Sequence, residues 1–415
     1  MTVLILATVL LIVYWTIEYR LHTKNVLSIP IRIHVNGTRG KSSVTRLIAA
    51  GLRAGGKKTV AKITGTLPRV VLPDGREAAI IRLQGANIIE QKYIFRHAVS
   101  HKPDAIVIEC MAVNPVFQYL TERKFIRSTI GVITNSRPDH LDLMGSTVQS
   151  VTMCLSNTIP PHGVCYTAEH DHFSLLAKRA KSFDCRIHRV RPEGELIVWP
   201  NGKQEKKSKT HIIVTEEELA AFQYIEHKEN VQLALAVCAE VGIPRDVALK
   251  GMQKANPDPG ALKKYRIEDG GKTIQFYNIF AANDPQSTVS VINMITGHLK
   301  GVEKIIVINN RADRLYRAHQ LVDAVKNLDY SYILLTGEIA DKVETYALQN
   351  GVPREKLFSL GEPLTEVIYQ KVLELTKTEA HVMGIGNMAG RIKYGAQIVA
   401  HFKHKMNVNH KRSRM

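Results

Sequence analysis

The apolar positions of the chain fall into two kinds of run. The first, Val3 to Ile17, is uncharged, carries Tyr14 and Trp15 near its end, and is followed directly by Glu18, Arg20, His22 and Lys24. Counted from Met1, about 17 apolar residues is the short limit for crossing a bilayer, and aromatic residues at one end match an interfacial rim. A cleaved signal would carry charge before the run and small residues after it. Neither is present, so residues 1–20 are expected to be an uncleaved membrane anchor. With the positive flank on its C-terminal side, the amino terminus is expected outside the cell membrane and everything after it on the cytoplasmic face. The later runs are short and β-branched: Ile31 to Val35, Ala105 to Ile108, Ile130 to Thr134 and Gly163 to Thr167 read as buried strands. Between the first two, Val44, Leu47, Ile48 and Leu52 keep helical spacing until Gly55-Gly56. Beyond the Pro/Gly-rich break Asn256 to Gly260, further strands are expected at Thr273 to Tyr277, Lys304 to Ile308, Tyr332 to Leu335 and Ala380 to Met383. The pattern predicts an α/β protein: a domain over 30–255 with a mostly parallel sheet, a smaller α/β domain over 260–400, and a basic tail over 401–415.

Polar chemistry gathers where these strands end. Ile31 to Val35 leads into Asn36-Gly37-Thr38-Arg39-Gly40-Lys41-Ser42-Ser43. Strand, glycine loop, Lys-Ser and helix is the order that cradles nucleotide phosphates. Small residues let backbone N–H groups approach the oxygens, the helix start adds positive potential, Lys41 reaches the terminal phosphates and Ser42 can ligate Mg²⁺. The strict P-loop spacing is not kept, since only Thr38 and Arg39 separate Gly37 from Gly40 and Val35 stands where the earlier glycine would be. The strand Ala105 to Ile108 ends on Glu109, and Ile130 to Thr134 feeds Asn135, Asp139, His140 and Asp142. Taken singly, Glu109 serves equally as a helix cap or a metal ligand, and Asp139 or Asp142 as the cap of a helix starting near Ser146. Together they converge on the crevice at the C-terminal ends of parallel strands, where open α/β sheets bind ligands.

Charge adds a partner class. Lys and Arg number 56 against 38 Asp and Glu, a formal net charge of +18. Basic residues cluster at Arg53, Lys57, Lys58 and Lys62, from Lys203 to Lys209, and from Lys403 to Arg414. Such a chain attracts a polyanion, and its tail an anionic membrane surface. The basic runs lack interleaved aromatic residues, so nucleic acid is not an expected partner. The 5 cysteines form no C-x-x-C pair, which excludes a disulfide framework and a structural zinc site and places the bulk of the chain in a reducing compartment. His162, His170 and His172 near Cys165 lack zinc spacing and read as loop residues.

Gly-Thr-x-Gly-Lys-Ser, then a strand ending in Glu, then Thr-Asn-x-x-x-Asp-His-Leu-Asp resembles the Mur ligase superfamily, the murein peptide ligases and folylpolyglutamate synthetases. The resemblance implies ATP-dependent amide formation through an acyl phosphate, with ATP and Mg²⁺ (or Mn²⁺) as cofactors. It implies that Gly37, Thr38, Arg39, Gly40, Lys41, Ser42 and Ser43 hold the triphosphate. Ser42, Glu109 and His140 match metal-associated positions, and Lys41, Asn135, Asp139 and His140 catalytic ones. Asn230, in His227-Lys228-Glu229-Asn230 ahead of an Ala- and Leu-rich helix, matches a nucleotide-side asparagine. In the second, Rossmann-like domain, Asn283 and Asp284 fall in Ala281 to Ser287, where folylpolyglutamate synthetases carry Ala-His-Asn-Pro, with Asn283 in the histidine position. Arg311, Asp313 and Arg314 follow another strand there. Lys62, Thr64, Gly65 and Thr66, one strand past the phosphate loop, and Arg82, Asn87 and Glu90 are candidate substrate contacts.

Two departures sharpen this. No UDP-sugar domain precedes the phosphate loop, which argues against a murein ligase, and the family's carbamylated lysine falls on Leu155, which puts a second metal in doubt. The anchor, Ala281-Ala282-Asn283-Asp284-Pro285 and Gly384-Ile385-Gly386-Asn387 resemble the ligase subunits of poly-γ-glutamate synthases. That resemblance implies glutamate joined through γ-carboxylates at the membrane, with glutamate, the growing poly-γ-glutamate chain and small membrane proteins as partners. The alternatives are a folylpolyglutamate-type ligase and a membrane-tethered P-loop ATPase that energises an export complex.

Overall fold

The computed structural model describes every residue except 65–67, 83–85, 200–205, 208–211, 223, 225, 258–262, 281–284, 298, 300, 389–393 and 413–415. It divides into two compact units, Met1–Pro259 and Gly260–Met415.

The strands of the first unit are β1 (Ile31–Asn36), β2 (Thr59–Ile63), β3 (Arg69–Val71), β4 (Glu77–Ala79), β5 (Ala105–Glu109), β6 (Ile130–Ile133), β7 (Val164–Thr167), β8 (Arg186–Val190), β9 (Leu196–Trp199) and β10 (Lys206–Lys207). They form one sheet in the order β10-β9-β8-β7-β6-β1-β5-β2-β3-β4. The six strands from β8 to β2 run parallel, and the hairpin strands at both edges are antiparallel. Four of these six, β1, β5, β6 and β7, were legible as β-branched runs because both of their faces are covered, whereas Lys62 in β2 and Arg186 and Arg189 in β8 interrupt the apolar signal. The edge strands β3, β4 and β10 are only two or three residues long, too short for an alternating pattern to announce them.

β1 lies between β5 and β6, with Val35 opposite both Glu109 and Val132. The loop after β1 therefore opens at the point where the chain switches sides of the sheet. The helix Lys41–Ala54 follows, burying Val44, Leu47, Ile48 and Leu52 completely. The helix expected near Ser146 runs Val148–Leu155 and is capped by Thr147, whose Oγ1 accepts from Ser150 N at 3.1 Å; neither Asp139 nor Asp142 caps it. Asn230 lies within the first turn of the helix Lys228–Glu240 rather than ahead of it.

The apolar N-terminal segment is part of one unbroken helix, Thr2–Leu27, long and apolar enough to cross a membrane. Its apolar turns, from Val3 to Ile17, are exposed. Its last turns are different: Val26 is buried with Ile94, Phe95 and Ile126, and His22 lies edge-on to Phe95 with Nε2 3.0 Å from Phe125 O. Glu18 pairs with Lys92 at 2.5 Å.

The second unit contains β11 (Lys263–Asp269), β12 (Lys272–Asn278), β13 (Glu303–Asn310), β14 (Tyr332–Gly337), β15 (Leu357–Gly361) and β16 (Glu379–Gly386), in the order β11-β12-β16-β13-β14-β15. Only β11 is antiparallel to its neighbour. The final helix, Tyr394–Arg412, buries Ile398 and Phe402, and Phe402 stacks on Phe276 at 4.1 Å. The basic segment from 401 onward thus begins inside the core of this unit.

Candidate active site

Backbone geometry explains both glycines of the loop. Gly37 has φ +131°, and a Cβ there would come within 2.0 Å of Thr134 Oγ1. Gly40 has φ +84°, and a Cβ would come within 2.7 Å of Asn230 Oδ1. Each combines a conformation that L side chains rarely adopt with a close approach.

The loop is fastened from the end of β6. Asn135 O accepts from Thr38 N at 3.0 Å, and Asn135 Oδ1 accepts from Thr38 Oγ1 at 2.8 Å and Arg39 N at 3.1 Å. Asn135 Nδ2 returns a bond to Arg39 O at 3.2 Å, and Thr134 Oγ1 donates to the same carbonyl at 2.5 Å. Asp139 pairs with Arg39 at 3.1 Å. Asn135 and Asp139 thus hold the loop from the β6 side. Lys41 Nζ lies over the loop, donating to Gly37 O at 2.6 Å and Thr38 O at 3.3 Å, within reach of a phosphate placed there. Ser43 follows, half-buried, in the first helical turn.

Ser42 Oγ donates to Glu109 Oε1 at 3.0 Å, and Glu109 Oε2 accepts from Thr64 N at 2.6 Å. A hydroxyl and a carboxylate at the mouth of the loop form a hard oxygen donor set that suits Mg²⁺ or Mn²⁺. His140 does not join them. Its backbone is left-handed (φ 44°), its side chain is 52% exposed, and its nearest acid is Asp139 at 4.0 Å. Among the described residues no group of three His, Cys, Asp or Glu gathers around a point. Leu155 is wholly buried in an apolar cluster with Ile133 and Val151.

The expected substrate residues are arranged differently from expectation. Lys62 is turned inward, fully buried, with Nζ 2.6 Å from Glu90 Oε1 and 3.1 Å from Gln91 Oε1. Arg82 grips the same carboxylate with two bonds, at 2.7 and 3.0 Å. Glu90 is therefore occupied by two cations, and burial, outweighing Glu90, pulls the Lys62 ammonium below its ordinary value. Asn87 closes a local turn by accepting from Ile89 N. Gly65 and Thr66 lie outside the described residues, as do Asn283 and Asp284.

Sequence reasoning missed Glu226. It is buried, and its Oε1 accepts from Asn230 Nδ2 at 2.8 Å and His227 N at 2.9 Å. Burial, only partly offset by these bonds, raises its pKa. Its position four residues before Asn230 was the available signal. It also missed His34 on β1, wholly buried, whose Nδ1 lies 2.8 Å from Glu122 Oε2. Burial opposes the charged imidazole, but the neighbouring Cys110 and Glu122 overcome it and raise the pKa to about 9.

In the second unit, Arg311 pairs with Asp313 at 2.8 Å, and Arg314 is exposed. The neighbouring strand ends are stitched together by Asn309, whose Nδ2 donates to Asn387 O at 2.6 Å, and by Asn310, whose Nδ2 donates to Thr336 O at 3.2 Å.

Residues 35–239 match the Mur ligase middle domain, and residues 264–405 match the poly-gamma-glutamate synthase CapB C-terminal domain. PGA synthase CapB of Bacillus subtilis (strain 168) is 33% identical over 99% of this chain and 100% of its own length. The chain belongs to the CapB family of poly-γ-glutamate synthases. A second member, capsule biosynthesis protein CapB of Bacillus anthracis, is 33% identical over 93% of this chain and 80% of its own. The fold is shared more widely. The bifunctional folylpolyglutamate synthase/dihydrofolate synthase from Yersinia pestis, solved with AMPPNP and a Mn ion, superposes with a TM-score of 0.65 at 14% identity, covering 92% of each chain.

Proposed function

We propose that the protein joins glutamate units through their γ-carboxylates at a membrane, converting ATP to ADP and phosphate. It is an ATP-dependent amide ligase of the CapB and Mur ligase group. One observation carries the reading furthest: in a chain that spans the whole of a poly-γ-glutamate synthase, Ser42 and Glu109 meet beside Lys41 at the mouth of a phosphate loop.

Backbone N–H groups of residues 40–43 would cradle the triphosphate, those of Gly37, Thr38 and Arg39 being spent on Asn36 and Asn135 to shape the loop around it, and Lys41 would leave its loop carbonyls to neutralise the terminal phosphates. Ser42 and Glu109 would hold Mg²⁺, which when bound supplies charge neutralisation at the transferred phosphoryl group. Asn135 and Asp139 act as positioning residues that fix the loop. Asn230, Asn283, Asp284, Arg311, Asp313 and Arg314 are assigned to the nucleotide side, and His140 to the metal or the reacting groups. A γ-carboxylate oxygen attacks the γ-phosphorus and ADP leaves. The amine of the next glutamate then attacks the acyl carbon, the amide forms, its proton passes to solvent, and phosphate departs. The protein's part is alignment and electrostatic stabilisation.

Residues 1–20 would anchor the chain with the amino terminus outside and both catalytic units on the cytoplasmic face, where small membrane-protein partners join it. Residues 30–255 would form the ATP-binding domain, 260–400 a Rossmann-like domain, and 401–415 a basic extension. The net charge of +18 would retain a polyanionic product. The test is ADP release by the detergent-purified full chain with glutamate or oligo-γ-glutamate, with hydroxylamine as trap. Glutamate-dependent ADP with γ-glutamyl hydroxamate is expected. Hydrolysis independent of glutamate would instead support the export ATPase.

A further inference from the structure

The helix that begins at the phosphate loop presents a second, separate basic feature further along. Arg46, Ala49, Ala50 and Arg53, at spacings of three, four and seven residues, form one face of the helix Lys41–Ala54. They line a cavity of about 190 Å³ closed by the β3–β4 hairpin, which gives Glu77, and by the helix Arg245–Gln253 and the residues after it, which give Lys254. The space exists because its walls are small. Ala49 and Ala50 stand where larger side chains would fill it, and Gly251 lets the two helices close up, since a Cβ there would come within 2.7 Å of Ala50 O.

The lining holds three cations, Arg46, Arg53 and Lys254, and one carboxylate, Glu77, a net charge of 3 − 1 = +2. Glu77 is fully engaged. Arg46 takes both of its oxygens, at 2.5 and 3.2 Å, and Arg69 approaches at 3.7 Å. Asp74, the other nearby acid, is paired with Arg76 at 2.6 Å. Among the described residues, Arg53 and Lys254 hydrogen-bond to no carboxylate, and the enclosed Nη1 of Arg53 has no hydrogen-bond partner. The Nε of Arg46, a residue 4% exposed, is likewise enclosed and without a partner. Arg53 and Lys254, cations on the wall of a positive cavity with no carboxylate of their own, call for an anion.

We propose that this cavity is a carboxylate subsite that holds α-carboxylates of the γ-linked glutamate chain behind the phosphate loop. The inference rests on the function proposed above. A γ-linked chain leaves one α-carboxylate free on every unit, so it presents repeated, evenly spaced negative charge. Arg46 and Arg53 lie about 6 and about 16 Å along the helix from Ser42, so a short run of units leading away from the reacting end would meet both.

The probe is fluorescent penta-γ-glutamate, titrated against the detergent-solubilised full chain without nucleotide, for wild type, Arg53→Gln, Lys254→Gln and the double variant. Lys254 is exposed, so its substitution leaves folding untouched. Each single change is expected to weaken binding about tenfold, the double change further. ADP release at saturating monomeric glutamate is expected to stay at the wild-type rate while the polymer becomes shorter. Equal affinity across the four proteins overturns the proposal. So does a parallel loss of inorganic phosphate binding of the same size, which would mark a general anion site. Absence of glutamate-dependent ADP release from the wild type counts against the proposed function instead, and the binding comparison still decides this subsite.

Discussion

Asn230 and Gly40 meet across the mouth of the loop: the amide oxygen of the first lies where the second, if it were alanine, would place its methyl group, 2.7 Å away. Gly40→Ala is therefore strained twice, by a left-handed backbone that costs about 1–2 kcal/mol and by contact with a side chain that Glu226 holds in place. Nucleotide affinity, read by fluorescent ATP analogue binding, is expected to fall at least tenfold, with a melting temperature only a few degrees lower.

Glu226→Leu fills the space but removes the acceptor, so Asn230 loses its fixed orientation. The expected result is a raised KM for ATP with kcat nearly unchanged. A fall in kcat with KM constant would place Glu226 in the chemistry rather than in positioning.

Glu109→Gln removes the anionic member of the proposed metal pair. ADP release is expected to drop by about 10² or more, with circular dichroism unchanged, and Lys41→Ala to abolish it. Raising Mg²⁺ or Mn²⁺ should partly restore Glu109→Gln and leave Lys41→Ala inactive.

Lys62 separates a structural role from a substrate role. Lys62→Ala leaves Glu90 with Arg82 alone inside the protein and is expected to cost about 3 kcal/mol of stability, measured by denaturant melts. Lys62→Met, which fills the space, should cost less. If KM for glutamate rises in both variants while stability holds, Lys62 touches substrate.

The His34–Glu122 pair predicts a pH dependence. The folded imidazole has its pKa raised from 6.5 to about 9, so its stabilisation, about 3 kcal/mol at most, is complete below pH 6.5 and disappears as pH rises through 9. Thermal melts of wild type should show this decline over that window, and His34→Gln should lack it.

The contacts legible in the sequence were those carried by one strand and its next few residues. The phosphate loop follows β1, Glu109 closes β5 and Asn135 comes just after β6, and apolar, β-branched runs mark these strands. What stayed hidden depends on pairing over distance. Lys62 reads as an exposed cation until Glu90 and Gln91 are seen folded onto it. Glu226 means little before Asn230 is seen against Gly40. The edge strands β3, β4, β11 and β15 escaped for a different reason. Only one of their faces packs or their length is slight, so charged residues such as Lys264, Arg266 and Glu268 interrupt the apolar signal.

The helix Thr2–Leu27 has no break between its exposed apolar turns and the turns locked into the first unit by His22 and Val26. At 1.5 Å per residue it is a rod of about 39 Å rather than a flexible leash. Rooted in a bilayer, such a rod removes swivel and tumbling and leaves the first unit little more than rotation about one axis. The phosphate loop would then keep a constant height and tilt above the lipid surface through every addition. Polymer growth would have a fixed bearing, the way a mast rather than a rope sets the heading of what it carries.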